Sequence, residues 1–165
     1  MRMALVERGE EILKLAVGPY EVDEITGPVI ADKIVYRHFR PMELWVGREF
    51  VRRALLPGLY YFDVYLLTEE AKRFMQREPE QFWRMTIPYA HRIDAVCWRE
   101  EAVWLLEFKI RLKYSAVGQL QGYRDWFDRE YAPRKPIRLG VAYAIDTPEL
   151  HETCDRLGIT RWHIR

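Results

Sequence analysis

Two apolar runs joined by a short polar reversal constrain this chain more than any other feature. His91–Trp98 and Val103–Lys109 are both rich in branched and aromatic residues, and Arg99-Glu100-Glu101 lies between them. Their lengths suit an antiparallel hairpin. Downstream, Ser115 is the expected cap of a helix reaching about Tyr131, with Val117, Leu120, Arg124 and Phe127 on one broad face. Pro133 and Pro136 interrupt that pattern. Ile137–Ile145 then reads as an apolar strand, Pro148–Leu157 as a short helix, and Ile159–Ile164 as a closing strand after the Gly158 turn.

Upstream of the hairpin, Pro41 precedes a helix expected over Glu43–Leu55, with Leu44, Phe50, Val51, Ala54 and Leu55 as its inward stripe. Pro57-Gly58 ends it, and Tyr60–Leu67 reads as a strand. Thr68 before Glu69-Glu70-Ala71 makes an N-cap and first helical turn, the helix stopping near Pro79. The first thirty-odd residues read as a layer added before the main fold. Ile12–Val17 is expected as a short strand and Gly18-Pro19 as a turn, while Val29–Phe39 has no clean periodicity. With 165 residues, the order points to a single α/β domain over 1–165 with an N-terminal elaboration within 1–40.

Composition removes several classes of function. Apolar types at 49% and charged types at 31% exclude a disordered chain. No run approaches the eighteen or more apolar residues of a membrane span. Acidic Glu7, Glu10 and Glu11 follow the first arginine without a signal-peptide core, so a cytoplasmic protein without membrane contact is expected. Two cysteines, Cys97 and Cys154, make neither a disulfide scaffold nor a four-cysteine cluster. No glycine-rich phosphate loop is present, the histidines lack zinc spacing, and the sole serine, Ser115, opens a helix rather than a hydrolase triad.

The net charge of +1 conceals blocks: residues 1–32 sum to −4, 33–53 to +4 and 109–138 to +5. Such blocks suit a phosphate-binding surface or an ordinary solvated face. Arg48, Arg52 and Arg53 from the early helix, and Arg111, Lys113 and Arg124, are the candidate phosphate contacts. Trp126, three residues after Tyr123, is a candidate for packing or for stacking on an unpaired base, with packing favoured. Trp98 and Trp104 are expected to support the hairpin.

The sharpest constellation is Asp94 on the first hairpin strand with Glu107 and Lys109 on the second. Glu107 and Lys109, two apart, share a face, while Leu106 and Phe108 point oppositely into the core. Hard divalent cations favour oxygen ligands, and Mg²⁺ keeps waters while using one or two carboxylates plus a phosphate. Asp94 and Glu107 suit that role, the Phe108 carbonyl offers a further oxygen, and Lys109 offsets phosphate charge or orients water. The competing interpretation is a surface salt bridge on an ordinary hairpin. A decoy stands at Glu70-Ala71-Lys72, with Asp63 as its upstream acid, but helix-start signals surround it.

Ile93-Asp94 followed by Glu107-Phe108-Lys109, and then Gln119-Leu120-Gln121-Gly122-Tyr123 on the next helix, resembles the PD-(D/E)xK nuclease superfamily, especially its RecB-like exonuclease branch. The resemblance covers a core of roughly residues 43–145. It implies a restriction-endonuclease-like mixed sheet flanked by helices and a Mg²⁺- or Mn²⁺-dependent deoxyribonuclease. Asp94, Glu107 and the Phe108 carbonyl would hold metal, with Lys109 catalytic. Gln119 and Tyr123, four apart and on one face, would position substrate and ligands. Ile93 stands where a proline is usual. The histidine that many relatives carry on the early helix is missing; Glu49 is the preferred third carboxylate in its place, with Glu43 as runner-up.

The function implied is hydrolysis of DNA phosphodiester bonds, as an exonuclease or end-processing enzyme in repair, phage or mobile-element metabolism. It would act with a partner protein or as a homo-oligomer. Two alternatives are an inactive nuclease-like subunit that binds nucleic acid, and a structural protein-interaction module.

Overall fold

The computed structural model describes residues 13–34 and 41–165. The expectations for residues 1–12 and 35–40, including the start of the Ile12–Val17 run and the end of Val29–Phe39, lie outside them. The described elements are β1 (Val17–Val22), α1 (Gly27–Lys33), α2 (Pro41–Arg52), β2 (Gly58–Leu66), α3 (Glu69–Arg77), α4 (Pro79–Met85), β3 (His91–Trp98), β4 (Val103–Arg111), α5 (Tyr114–Tyr131), β5 (Ile137–Ile145), α6 (His151–Arg156) and β6 (Ile159–His163). Single 3₁₀ turns, Ile87–Tyr89 and Pro148–Leu150, precede β3 and α6. The chain is α/β; among the described residues, six helices flank one open mixed sheet.

The sheet runs in the order β1-β2-β3-β4-β5-β6. The β1–β2, β2–β3 and β3–β4 pairs are antiparallel; β4–β5 and β5–β6 are parallel. The two directions follow from the connections. A short reversal returns β3 to β4 antiparallel, whereas α5 carries the chain back across the sheet so that β5 lies parallel.

β4 shows why the sheet holds. Val103 and Leu105 pack with Val117, Leu120, Phe127 and Tyr131 beneath α5. Leu106 and Phe108 pack with Val46, Phe50 and Val51 of α2 on the opposite face. Each fully buried aromatic or aliphatic side chain here contributes roughly 1.5–3 kcal/mol. The expected hairpin supports are in place: Trp98 lies 6.1 Å from Phe127 and Trp104 lies 5.8 Å from Trp162, between ring centroids.

Local chemistry sets most element ends. The Thr68 hydroxyl accepts the Ala71 N–H at 3.1 Å, capping α3 as expected. The Glu70-Ala71-Lys72 decoy is helical, and Lys72 turns away to pair with Glu69 and Glu130.

Local expectations are corrected in two stretches of the chain. Gly18-Pro19 is not a turn but lies inside β1, where the ladder with β2 shifts register between Val17 and Tyr20. At Gly18, with φ +139°, an added Cβ would stand 2.6 Å from the Tyr60 carbonyl oxygen, so only glycine permits this approach. Proline is tolerated there because β1 is an edge strand. Before it, Leu13 is buried and its carbonyl accepts the Ala16 N–H at 3.0 Å, a turn rather than a strand. Secondly, Ser115 does not cap α5: Lys113 occupies the cap position without a side-chain bond, and Ser115 lies in the first turn.

Candidate functional site

The β3–β4 ladder pairs Trp98 with Val103 through Ala95 with Leu106. The next pair in that register is Asp94 opposite Glu107. Here each side chain, rather than the partner strand's backbone, takes the facing N–H: Phe108 N–H donates to Asp94 Oδ2 at 2.8 Å, and Asp94 N–H donates to Glu107 Oε1 at 3.4 Å. Beyond this point β3 stays paired with β2 as far as His91, and β4 stays paired with β5 as far as Arg111. The strands part at the two acids, opening a cleft between them.

The cleft has a volume of about 250 Å³ and draws on five elements. Its lining includes Glu43 from α2, Asp63 from β2, Arg92 and Asp94 from β3, Glu107 and Lys109 from β4, and Gln119 and Tyr123 from α5. Lys109 Nζ lies 2.7 Å from Glu107 Oε2. Asp94, Glu107, Lys109, Gln119 and Tyr123 therefore border one space. The Phe108 ring lies in the core on the other face, 5.5 Å from Phe50; its backbone N–H reaches Asp94, but Phe108 is not among the residues lining the cleft.

The electrostatics are those of acids short of counter-charge. Burial pushes the Asp94 carboxyl well above its ordinary value, and the neighbouring Glu107 charge adds to the shift. Burial also raises Glu107 and outweighs the opposing pull of Lys109. Burial alone would lower the Lys109 ammonium, but the charges of Glu107 and Asp94 prevail and hold it above the usual lysine value. Burial, then those same two charges, pushes the Tyr123 hydroxyl up to about 12. Among the described residues, four carboxylates face two cations, Arg92 and Lys109, across this cleft.

Of the two candidates for a third carboxylate, the cleft is lined by the runner-up, Glu43, and not by the preferred Glu49. Glu49 pairs with Arg52 and Arg53 and does not line the cleft. Glu43, six residues earlier, does. At about 100° per residue the two point to different sides of α2. The early-helix arginines are also engaged elsewhere: Arg48 donates to the Ile34 carbonyl, Arg52 also binds Asp32, and Arg53 reaches the Arg165 carbonyl. They do not flank the cleft. Arg111 and Lys113 are exposed beyond Lys109, and Arg124 binds Gln121 and Asp125.

Asp63, in sequence only the upstream acid of a decoy, also lines the cleft. Phe62 pairs with Ala95 and Val64 with Ile93, so Asp63 stands in register with Asp94. Asp63, Asp94 and Glu107 thus form one row across three adjacent strands. Asp63 is buried and has φ +53°, a left-handed conformation uncommon for any non-glycine residue. It breaks the strand's alternation: Tyr60 and Phe62 pack toward α2, whereas Val64 and Leu66 join the core beneath α5. The signal available in the sequence was a lone carboxylate inside the aromatic and branched run Tyr60–Leu67.

Among the described residues, no three His, Cys, Asp or Glu side chains already converge closely enough to chelate an ion. Mg²⁺ does not require such a cage, since it retains water and takes one or two carboxylates. Two adjacent carboxylates, both destabilised in their charged form, fit that requirement. Among the described residues, no helix is long and apolar enough to cross a membrane. No family model matches the chain, and comparison with curated proteins and with solved structures finds no significant match.

Proposed function

We propose that this protein is a Mg²⁺- or Mn²⁺-dependent deoxyribonuclease of the PD-(D/E)xK type, nearest the RecB-like branch, with a restriction-endonuclease-like core. The observation that carries this reading is the convergence of Asp94, Glu107 and Lys109 with Gln119 and Tyr123 on one cleft at the parted end of a hairpin. The charge balance also favours it. A cleft with four carboxylates and two cations repels a phosphodiester unless a divalent cation is present.

Asp94 and Glu107, with the Phe108 carbonyl, would hold the cation, and Glu43 is better placed than Glu49 to assist. The cation when bound would polarise the phosphate and favour ionisation of attacking water. Lys109, held protonated by its two acidic neighbours, would stabilise charge developing on the phosphate and orient the nucleophile, rather than abstract a proton. Gln119 and Tyr123 would position the strand and the carboxylates. Arg111 and Lys113 would extend phosphate contact, giving position without base specificity. DNA as substrate, an exonuclease or end-processing mode, a cytoplasmic location and action with a partner protein or as a homo-oligomer belong to the same proposal.

The test uses end-labelled single-stranded, duplex, branched and closed-circular DNA with Mg²⁺, Mn²⁺ or chelator. Cleavage abolished both by chelator and in a folded Lys109→Ala protein supports the reading. Binding without cleavage supports a nucleic-acid-binding subunit instead, and neither cleavage nor binding of DNA or metal supports a protein-interaction module.

A further inference from the structure

Immediately beside the acidic cleft lies a second cavity of about 300 Å³, lined by Leu66, Ala71, Met85, Tyr89, His91 and Trp126 among others. The two spaces meet at Ala90 and His91, which border both. Their chemistry is opposite: the first is walled by carboxylates, while among the described residues no acid lines the second. Aromatic groups run from one to the other. His91 lies 6.5 Å from the Tyr123 ring and 5.4 Å from the Trp126 ring, between centroids. At the mouth, Met85 and Tyr89 are 64% and 86% exposed, large apolar surfaces left uncovered by the fold.

We infer that this second cavity receives one unpaired base of the DNA strand whose backbone enters the cleft, so that the enzyme acts on single-stranded or frayed ends; this rests on the nuclease reading above. A cavity of this size is at the small end of the range for ligand sites, roughly 300–1,000 Å³, which suits one planar ring system rather than a helix or peptide segment. The absence of acids among its lining residues favours a neutral base over a cationic partner. The shared His91 wall makes the cavity continuous with the place proposed for the phosphate, as base and backbone of one nucleotide require. His91, Tyr89 and Trp126 supply ring faces, and stacking on such faces tolerates any base. A base within a duplex would first have to leave its stack. Single strands and frayed ends are therefore the preferred substrates.

The test is an abasic scan. A single-stranded substrate lacking one base at successive positions is compared with the intact strand, in the wild-type protein and in Trp126→Ala and Tyr89→Ala variants. One position near the cut is expected to lower wild-type kcat/KM by about tenfold, the scale of one base stacked on an aromatic side chain. Both variants should show little dependence on that position. Tyr89, on the surface, provides the readout if Trp126→Ala does not fold. Binding of a phosphorothioate oligonucleotide in Mg²⁺, with and without the same base, tests the cavity even if no substrate is cut. Cleavage with no abasic dependence at any position overturns the base site while leaving the nuclease reading intact. Base-dependent binding without cleavage overturns the nuclease reading and retains the base site. Binding or cleavage that the Tyr89 and Trp126 substitutions leave equally base-dependent overturns the cavity assignment, as does occupation by an apolar segment of another protein.

Discussion

Asp94 and Glu107 stand directly opposite each other on antiparallel strands, and their side chains take up backbone N–H groups where the ladder between those strands ends. The same two carboxylates thus stabilise the splayed hairpin and face the cleft that the splaying creates.

Removing the Lys109 ammonium leaves Glu107, only 2% exposed, without its close cation. Lys109→Met should destabilise the fold by roughly 2–3 kcal/mol, less than a fully dry pair because Lys109 itself remains 23% exposed. Cleavage should fall by on the order of 100-fold or more. Glu107→Gln combined with Lys109→Met should recover stability but not activity, as read by chemical denaturation and by single-turnover cleavage. Activity in the double variant would remove both residues from the chemistry.

The raised carboxyl values of Asp94 and Glu107 fix a sign for pH dependence. The folded state holds these protons more tightly than the unfolded state does, so the metal-free protein loses stability as pH rises from the ordinary carboxylate range through the raised values. A divalent cation held by the two carboxylates, as proposed, would replace those protons. The increase in Tm on adding Mn²⁺ should therefore grow with pH, and thermal melts at a series of pH values with chelator or Mn²⁺ will show it. Asp94→Asn should raise metal-free stability by roughly 0.5–2 kcal/mol and abolish the Mn²⁺ shift. An equal shift at every pH would show that the ion binds elsewhere.

Glu43 and Glu49 should behave differently although both lie on α2. Glu43→Gln should impair metal-dependent cleavage with little effect on Tm. Glu49→Gln should leave cleavage intact and cost about 0.5 kcal/mol through its partly exposed partners Arg52 and Arg53. The reverse pattern would restore Glu49 as the third carboxylate.

Asp63 combines an acid's position with a backbone that favours glycine. Asp63→Gly and Asp63→Ala both delete the carboxylate, but only glycine accepts φ +53° without penalty. The glycine variant should be more stable than the alanine variant by about 1 kcal/mol, and both should cleave more slowly than the parent. Equal stability of the two would mean that the backbone relaxes once the carboxylate is gone.

The residues that were legible beforehand are those whose relationships are local. A period of two places Glu107 and Lys109 on one face and Leu106 and Phe108 on the other, whatever the sheet looks like. Four-residue spacing aligns Gln119 with Tyr123 on a helix, and Thr68 caps α3 through its own next turn. The hairpin carrying Asp94 and Glu107 was visible because two strand-length apolar runs flank a short reversal.

What was not legible depends on partners distant in sequence. Gly18-Pro19 has the local chemistry of a turn, yet pairing with β2 draws it into an edge strand. Glu43 rather than Glu49 faces the cleft because the packing of Val46, Phe50 and Val51 fixes how α2 is rotated against the sheet. Asp63 joins the row of acids only through the β2–β3 register. Which side chains share a face within a strand or helix follows from residue order alone, because backbone geometry repeats on a fixed short period. Which of those faces meet follows from packing, because register and helix rotation are set by how both layers of side chains fit at once.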